Sequence, residues 1–291
     1  MELDSRYSWQ RLLIALAIST IGGIGLWAHV IVLPAIQAEF GVDRAGASLP
    51  YTATLIGFAI GGVLIGRFTD RYGLFKPLLF SIVVLSAGFV MAGMMDSYWG
   101  FVIVQAVMIG MLGSSAMFGP MVADITHWFM RHRGMAVSIV ASGNYLAGAV
   151  WPPFLQAMIE SVGWRQAYMV IGAICLVSML PLAFALRRRP DLSAVQSASG
   201  VHAYTPVQMH PQMLTALLAV AGIACCIAMS MPQVHIVAYC GDLGYGAARG
   251  AEMLSVMLGL GVVSRLISGF IADRIGGVKT LILGSVLQCV A

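Results

Sequence analysis

The chain has 291 residues, 59% of them hydrophobic and only 10% charged, with 33 glycines and 19 methionines, whereas soluble domains carry about 25% charged residues. A mean hydropathy of +0.89 excludes an ordinary soluble domain and a disordered, collagenous or disulfide-stapled chain alike. The net charge of +4 is too small and too scattered for a nucleic-acid surface. Five cysteines with neither a C-x-x-C nor a histidine at ligand spacing read as packing residues, with no metal site and no cofactor implied.

Crossing about 30 Å of hydrocarbon at 1.5 Å per residue takes roughly 20 apolar residues. The first such run, 11–34, is too long for the core of a signal peptide and reads as a retained first span. Runs at 47–66, 76–95, 100–124, 135–158 and 166–186 complete six spans. A basic, then Ser/Ala/Pro-rich stretch at 187–211 reads as a linker, followed by runs at 212–237 and 250–271 and the start of a ninth near 279. The expected fold is therefore all-α and polytopic: a six-helix bundle over 1–186, a linker over 187–211 and a partial second bundle over 212–291. Gly57, Gly61, Gly62 and Gly66 on span two, with Gly110, Gly113 and Gly119 on span four, leave helix faces bare for close approach. Trp151-Pro152-Pro153 predicts a break and kink in span five.

Positive charge sets the orientation. With the N-terminus in the cytoplasm, twelve of the 16 Lys and Arg residues fall inside and three (Arg44, Arg165, Arg249) outside, while Arg265 lies within a span. The localisation this implies is the plasma or inner membrane.

An internal repeat organises the chain. Gly66-Arg67-Phe68-Thr69-Asp70-Arg71-Tyr72-Gly73-Leu74-Phe75-Lys76, after span two, matches Gly269-Phe270-Ile271-Ala272-Asp273-Arg274-Ile275-Gly276-Gly277-Val278-Lys279, after span eight, at an offset of 203 residues. The same offset aligns Glu39-Phe40-Gly41 with Asp242-Leu243-Gly244. A second half copying the first would run to roughly residue 389, so this reading expects a C-terminal truncation.

These residues resemble the major facilitator superfamily, whose loop between spans two and three carries G-x-x-x-D-R-x-G-x-x-[RK], matched here by Gly66, Asp70, Arg71, Gly73 and Lys76. The resemblance implies two six-helix bundles rocking about a central site. Within that family the chain resembles the monocarboxylate and oxalate/formate branch through Trp128-Phe129, Arg133-Gly134-Met135-Ala136, Gly143 to Trp151-Pro152-Pro153, Gly163-Trp164-Arg165 and Arg265-Leu266-Ile267-Ser268-Gly269. The chain has Gly261 where eukaryotic members of the branch often carry an aspartate one turn before the arginine, and its Tyr7-Ser8-Trp9 matches their entry motif weakly. Both departures favour a broader organic-anion carrier over proton and lactate symport.

Arg265 lies eight residues before Asp273, about 12 Å deeper in the membrane. A charge at that depth costs at least ~2.5 kcal/mol, and no carboxylate lies deep in the first eight spans to neutralise it. It therefore reads as an anchor for a carboxylate, with a snorkelling or structural arginine as the alternative. His29 and His235 fall in spans one and seven; a substrate or proton-coupling role for His29 and a proton-coupling role for His235 stand beside ordinary packing. Asn144 and Tyr145, midway along span five, are candidate substrate contacts or interhelical glue, and Trp27 and Tyr51 are candidate cavity aromatics. Asp70, Arg71, Asp124, Arg131 and Arg133, with Asp273 and Arg274 in the repeat, form either topology-setting charge or, as the resemblance implies, a latch. In that latch Asp70 pairs with the partner bundle and Arg71 with Asp124.

The function expected from all this is secondary active transport of a small organic anion, a mono- or dicarboxylate, by rocker-type alternating access, with protons or a counter-anion as coupling partner. A carrier of another solute, or a non-transporting sensor or remnant, is the alternative. No enzyme is expected, because no nucleophile-base pair, metal-ligand spacing or phosphate-binding loop appears.

Overall fold

The computed structural model describes residues 3–188 and 210–290, and every described element is helical. Most of the expected linker lies outside the described residues. The helices are α1 (Arg6–Gly22), α2 (Ile24–Phe40), α3 (Arg44–Tyr72), α4 (Phe75–Met94), α5 (Tyr98–Val104), α6 (Gly119–Thr126), α7 (Arg133–Val162), α8 (Trp164–Ala185), α9 (Pro211–Asp242), α10 (Gly246–Ile275) and α11 (Gly277–Val290). Between α5 and α6 the chain widens into a π-helical stretch, Gln105–Gly113, and then tightens into a 3₁₀ turn, Ser114–Met117. Among the described residues, seven helical segments are long and apolar enough to cross a membrane, with Arg6–Phe40 taken as one and Tyr98–Thr126 taken as one.

The repeat read from sequence recurs in the backbone. Gly73 ends α3 at φ 78°, ψ 167°, and Gly276, 203 residues later, ends α10 at φ 87°, ψ 157°. Each donates its N–H four residues back, to Thr69 and to Ala272. Gly41 and Gly244 likewise share positive φ, 61° and 81°. Side chains other than glycine rarely adopt such angles, so both turns depend on the missing Cβ.

The first span is not one straight helix, as its apolar run suggested, but two that meet at Gly23. A Cβ on Gly23 would sit 2.6 Å from that of Ala147, so α7 presses against the junction itself. α7 in turn runs on through Pro152 and Pro153 rather than breaking there, while Trp151 donates its indole N–H to the Thr20 carbonyl at 3.0 Å. On α3, Gly57 and Gly61 lie against the carbonyls of Ala106 and Met111 in the π-helical stretch, whose own Gly110 lies against Thr54. Gly113 is also tightly packed, but Gly62, Gly66 and Gly119 have open space around them and take no part in close packing.

The core lies in the first half, with Leu12, Ile18, Leu78, Ile82, Phe89, Phe101, Phe129 and Tyr168 fully buried. α9 to α11 instead present broad apolar faces, including Val220, Ile227, Val256 and Leu281. The two halves meet chiefly along α7 and α10.

Candidate functional site

Midway along the α7–α10 seam, small residues let large ones converge. Gly148 of α7 lies against Leu258 of α10 and Trp27 of α2, and a Cβ on Gly261 would come within 2.5 Å of the Tyr145 ring. With no side chain at 261, the ring fits flat enough for the Arg265 guanidinium, one turn further along α10, to sit 4.0 Å from its centroid. Such a cation–π contact is worth about 0.5–2 kcal/mol. The Tyr145 hydroxyl reaches the Met229 sulfur of α9 at 3.8 Å. Asn144, one residue earlier, accepts from the Trp27 indole N–H through its carbonyl (2.9 Å) and its side-chain oxygen (3.2 Å). Arg265 thus has an aromatic face for company, and among the described residues neither a carboxylate nor a hydrogen-bond acceptor takes its N–H groups.

Not every residue singled out from sequence comes to this place. His29 is buried between α2 and α3, bonded to the Ala47 carbonyl at 2.9 Å and flanked by Tyr51 and Phe101. None of its hydrogen bonds or ring contacts is with Arg265, Tyr145 or Asn144. Its Nδ1 is buried without a partner. His235 is exposed on α9.

At the end of the bundle rich in Arg and Lys, the charged residues form three groups. Asp273 bridges the halves: its carboxylate accepts from the Gly134 N–H (2.7 Å) and the Met135 N–H (2.9 Å), the first amides of α7. An anion at a helix N-terminus is favoured by the unpaired amides and by the helix dipole. Gly134 is required here, because a Cβ on it would lie 2.6 Å from the Asp273 carboxylate, and Gly269 is pressed onto Ser138 beside it. In the second group Asp124 pairs with Arg11 and not, as expected, with Arg71. Arg11 binds it through both Nε and Nη2 at 2.8 Å and gives Nη1 to the carbonyls of Leu186 and Arg188 at 3.1 Å. With Arg11 1% exposed and lying 4.6 Å from the Trp128 ring, this is a buried ion pair that motif reading missed. The signal was present: an arginine opening the first apolar run needs a partner. The third group is the Asp70 loop, where Arg71 and Lys76 lie over the Tyr72 ring and Asp70 is exposed. Here it is Asp273 that reaches across to the other half, where Asp70 was expected to. Arg131 gives its backbone N–H to Asp4, Arg133 is exposed at the start of α7, and Arg274 stacks on Phe270.

At the opposite end Glu39 holds α2 to α8, accepting from the Trp164 indole and pairing with Arg165, which also reaches Asp96 at 3.3 Å.

The described residues thus form a multi-pass helical protein whose two parts repeat one loop, with Arg265 at the seam where they meet. Residues 15–291 match the family model of the Major Facilitator Superfamily, and the chain belongs to that family. It is 28% identical over 244 residues to "MFS-type transporter 1" of Ophiocordyceps sp., covering 82% of this chain and 53% of that protein. It is 26% identical over 264 residues to "Agnestins efflux protein AgnL12" of Paecilomyces divaricatus, covering 87% of this chain and 57% of that one. A shorter match, 29% over 159 residues, is to "Probable sulfoacetate transporter SauU" of Cupriavidus necator, covering 54% and 36%. The chain spans about half the length of most of the curated relatives it matches.

Proposed function

We propose that the protein is a secondary active transporter of a small organic anion, a mono- or dicarboxylate, working by alternating access with Arg265 as the anion anchor. The observation that carries this is Arg265 itself: a guanidinium within a span, at the junction of the halves, held by the Tyr145 ring and left without a carboxylate among the described residues. Its planar fork suits bidentate binding of a carboxylate, which would offset the cost of a charge within the span. The match to a protein named a probable sulfoacetate transporter, whose named substrate is a small organic anion, supports the same class. In this reading the basic end faces the cytoplasm, and the Asp273 cap on α7 holds that end closed while the central site communicates with the other side.

The test is uptake of radiolabelled mono- and dicarboxylates into vesicles carrying the protein. Arg265→Lys keeps the charge but loses the fork, and uptake is expected to fall at least ~10-fold, the equivalent of about 1.4 kcal/mol. Full uptake by that variant would overturn the anchor.

A second reading, export of a larger organic product, rests on the similarity to a protein named an efflux protein. Outward movement of such compounds, unaffected by Arg265→Lys, would favour it over the first.

A further inference from the structure

A second concave site lies at the basic end of the first half, away from Arg265. It is a cavity of about 460 Å³ walled by the Asp70 loop, α6 and the segment that follows α8. Four exposed cations face it: Arg71 and Lys76 from the loop, Arg187 and Arg188 from beyond α8. Two acids share the wall, but Asp124 is already neutralised by Arg11, whose guanidinium binds that carboxylate and two carbonyls. Asp70 alone opposes the four. None of the four has a carboxylate within ion-pair distance among the described residues; Arg71 and Lys76 rest 5.5 and 6.0 Å from the Tyr72 centroid, and Arg188 5.3 Å from that of Tyr7. The hydroxyl of Thr69, buried in the same wall, lacks a hydrogen-bond partner. Arg187 and Arg188 also line an adjoining cavity of about 600 Å³, whose other walls are Tyr7, Phe184 and Ala185.

Like charges held around a concavity repel one another and focus a field on the space between them, which favours a multivalent anion there. We propose that this cavity binds a phosphate group, seated among Arg71, Lys76, Arg187 and Arg188. Three guanidinium forks and an ammonium present donors suited to the oxygens of a phosphate group. The phosphate can belong to an anionic phospholipid headgroup, for which the adjoining aromatic cavity offers an apolar wall, or to a soluble phosphate compound. This site is independent of the assignment of Arg265.

The experiment uses the purified full-length protein in detergent, with retention of phosphatidylglycerol read by native mass spectrometry as lipid is titrated. The triple variant Lys76→Gln, Arg187→Gln, Arg188→Gln is compared with a control that removes three cations of the same end outside the cavity, Arg131→Gln, Arg274→Gln, Lys279→Gln. Each basic side chain near an anionic lipid contributes roughly five-fold, so the cavity variant is expected to bind about 100-fold more weakly, with the control within about three-fold of wild type. The conservative triple Lys76→Arg, Arg187→Lys, Arg188→Lys restores binding and shows that loss is not misfolding. Inorganic phosphate and glycerol phosphate are then added as competitors. Displacement of the lipid at low millimolar concentration assigns the site to a soluble phosphate; retention assigns it to the lipid. Equal loss in the cavity and control variants, or binding of neither phosphatidylglycerol nor inorganic phosphate by the wild type, overturns the proposal.

Discussion

The loops Gly66–Lys76 and Gly269–Lys279 carry one motif on one backbone yet hold their aspartates in different company. Gly73 and Gly276 turn the chain through nearly the same angles and bond to the same relative carbonyl. Asp273 caps the first amides of α7 across the seam, whereas Asp70 stands at the rim of a cavity dominated by arginine and lysine. Local sequence sets the conformation of such a loop; the element that docks on it sets what its carboxylate does.

The comparison can be broken most severely at the wall beside Asp70. Arg11→Met leaves Asp124 buried and unpaired and is expected to cost about 3–5 kcal/mol, while Arg11→Met with Asp124→Leu recovers most of that loss; thermal unfolding in detergent reads both. Equal destabilisation of the single and double variants would mean that packing, not the ion pair, holds α1 to α6. Next come the turns: Gly73→Ala and Gly276→Ala should each cost roughly 1–3 kcal/mol because both hold angles that favour glycine, and a large inequality between them would deny that the loops are equivalent. Asp273→Ala removes two charge-assisted bonds; as an exposed group its effect is discounted to ~1–2 kcal/mol. That opens the seam some five- to thirty-fold more often, measured as faster thiol labelling of Ser138→Cys in a background freed of native cysteines. Asp70→Ala, the smallest effect, should change that labelling less than about two-fold.

Much of this architecture is legible in sequence because the bilayer forces it to be. Apolar runs of spanning length and a repeat at a fixed offset locate the helices and pair the halves, and the depth of Arg265 marks it before any contact is known. Its partner Tyr145 was a candidate, but the reason the two meet is Gly261, which reads only as a departure from a motif until the ring is seen occupying its space. Gly134 and Met135 belonged to a motif whose physical meaning, a helix start left open for Asp273, depends on a residue 139 positions away. Nothing local announced the π-helical stretch at Gln105–Gly113, which lies where α3 brings Gly57 and Gly61 against it. The Gly22-Gly23 pair did carry a signal for the break between α1 and α2, masked by the hydrophobicity on either side.

The bond between Arg11 and Asp124 joins residues 113 positions apart, and that separation is also a delay. At about 5–20 residues per second, a ribosome makes Asp124 roughly 6–23 s after Arg11, and the Leu186 carbonyl later still. During that interval the first helix carries a charge whose native partner does not yet exist, which favours keeping its guanidinium at the water-lipid boundary and α1 at a shallow depth. Settling of the first helix is thereby tied to arrival of the fourth span and the end of the sixth, so this half of the molecule closes on its own beginning.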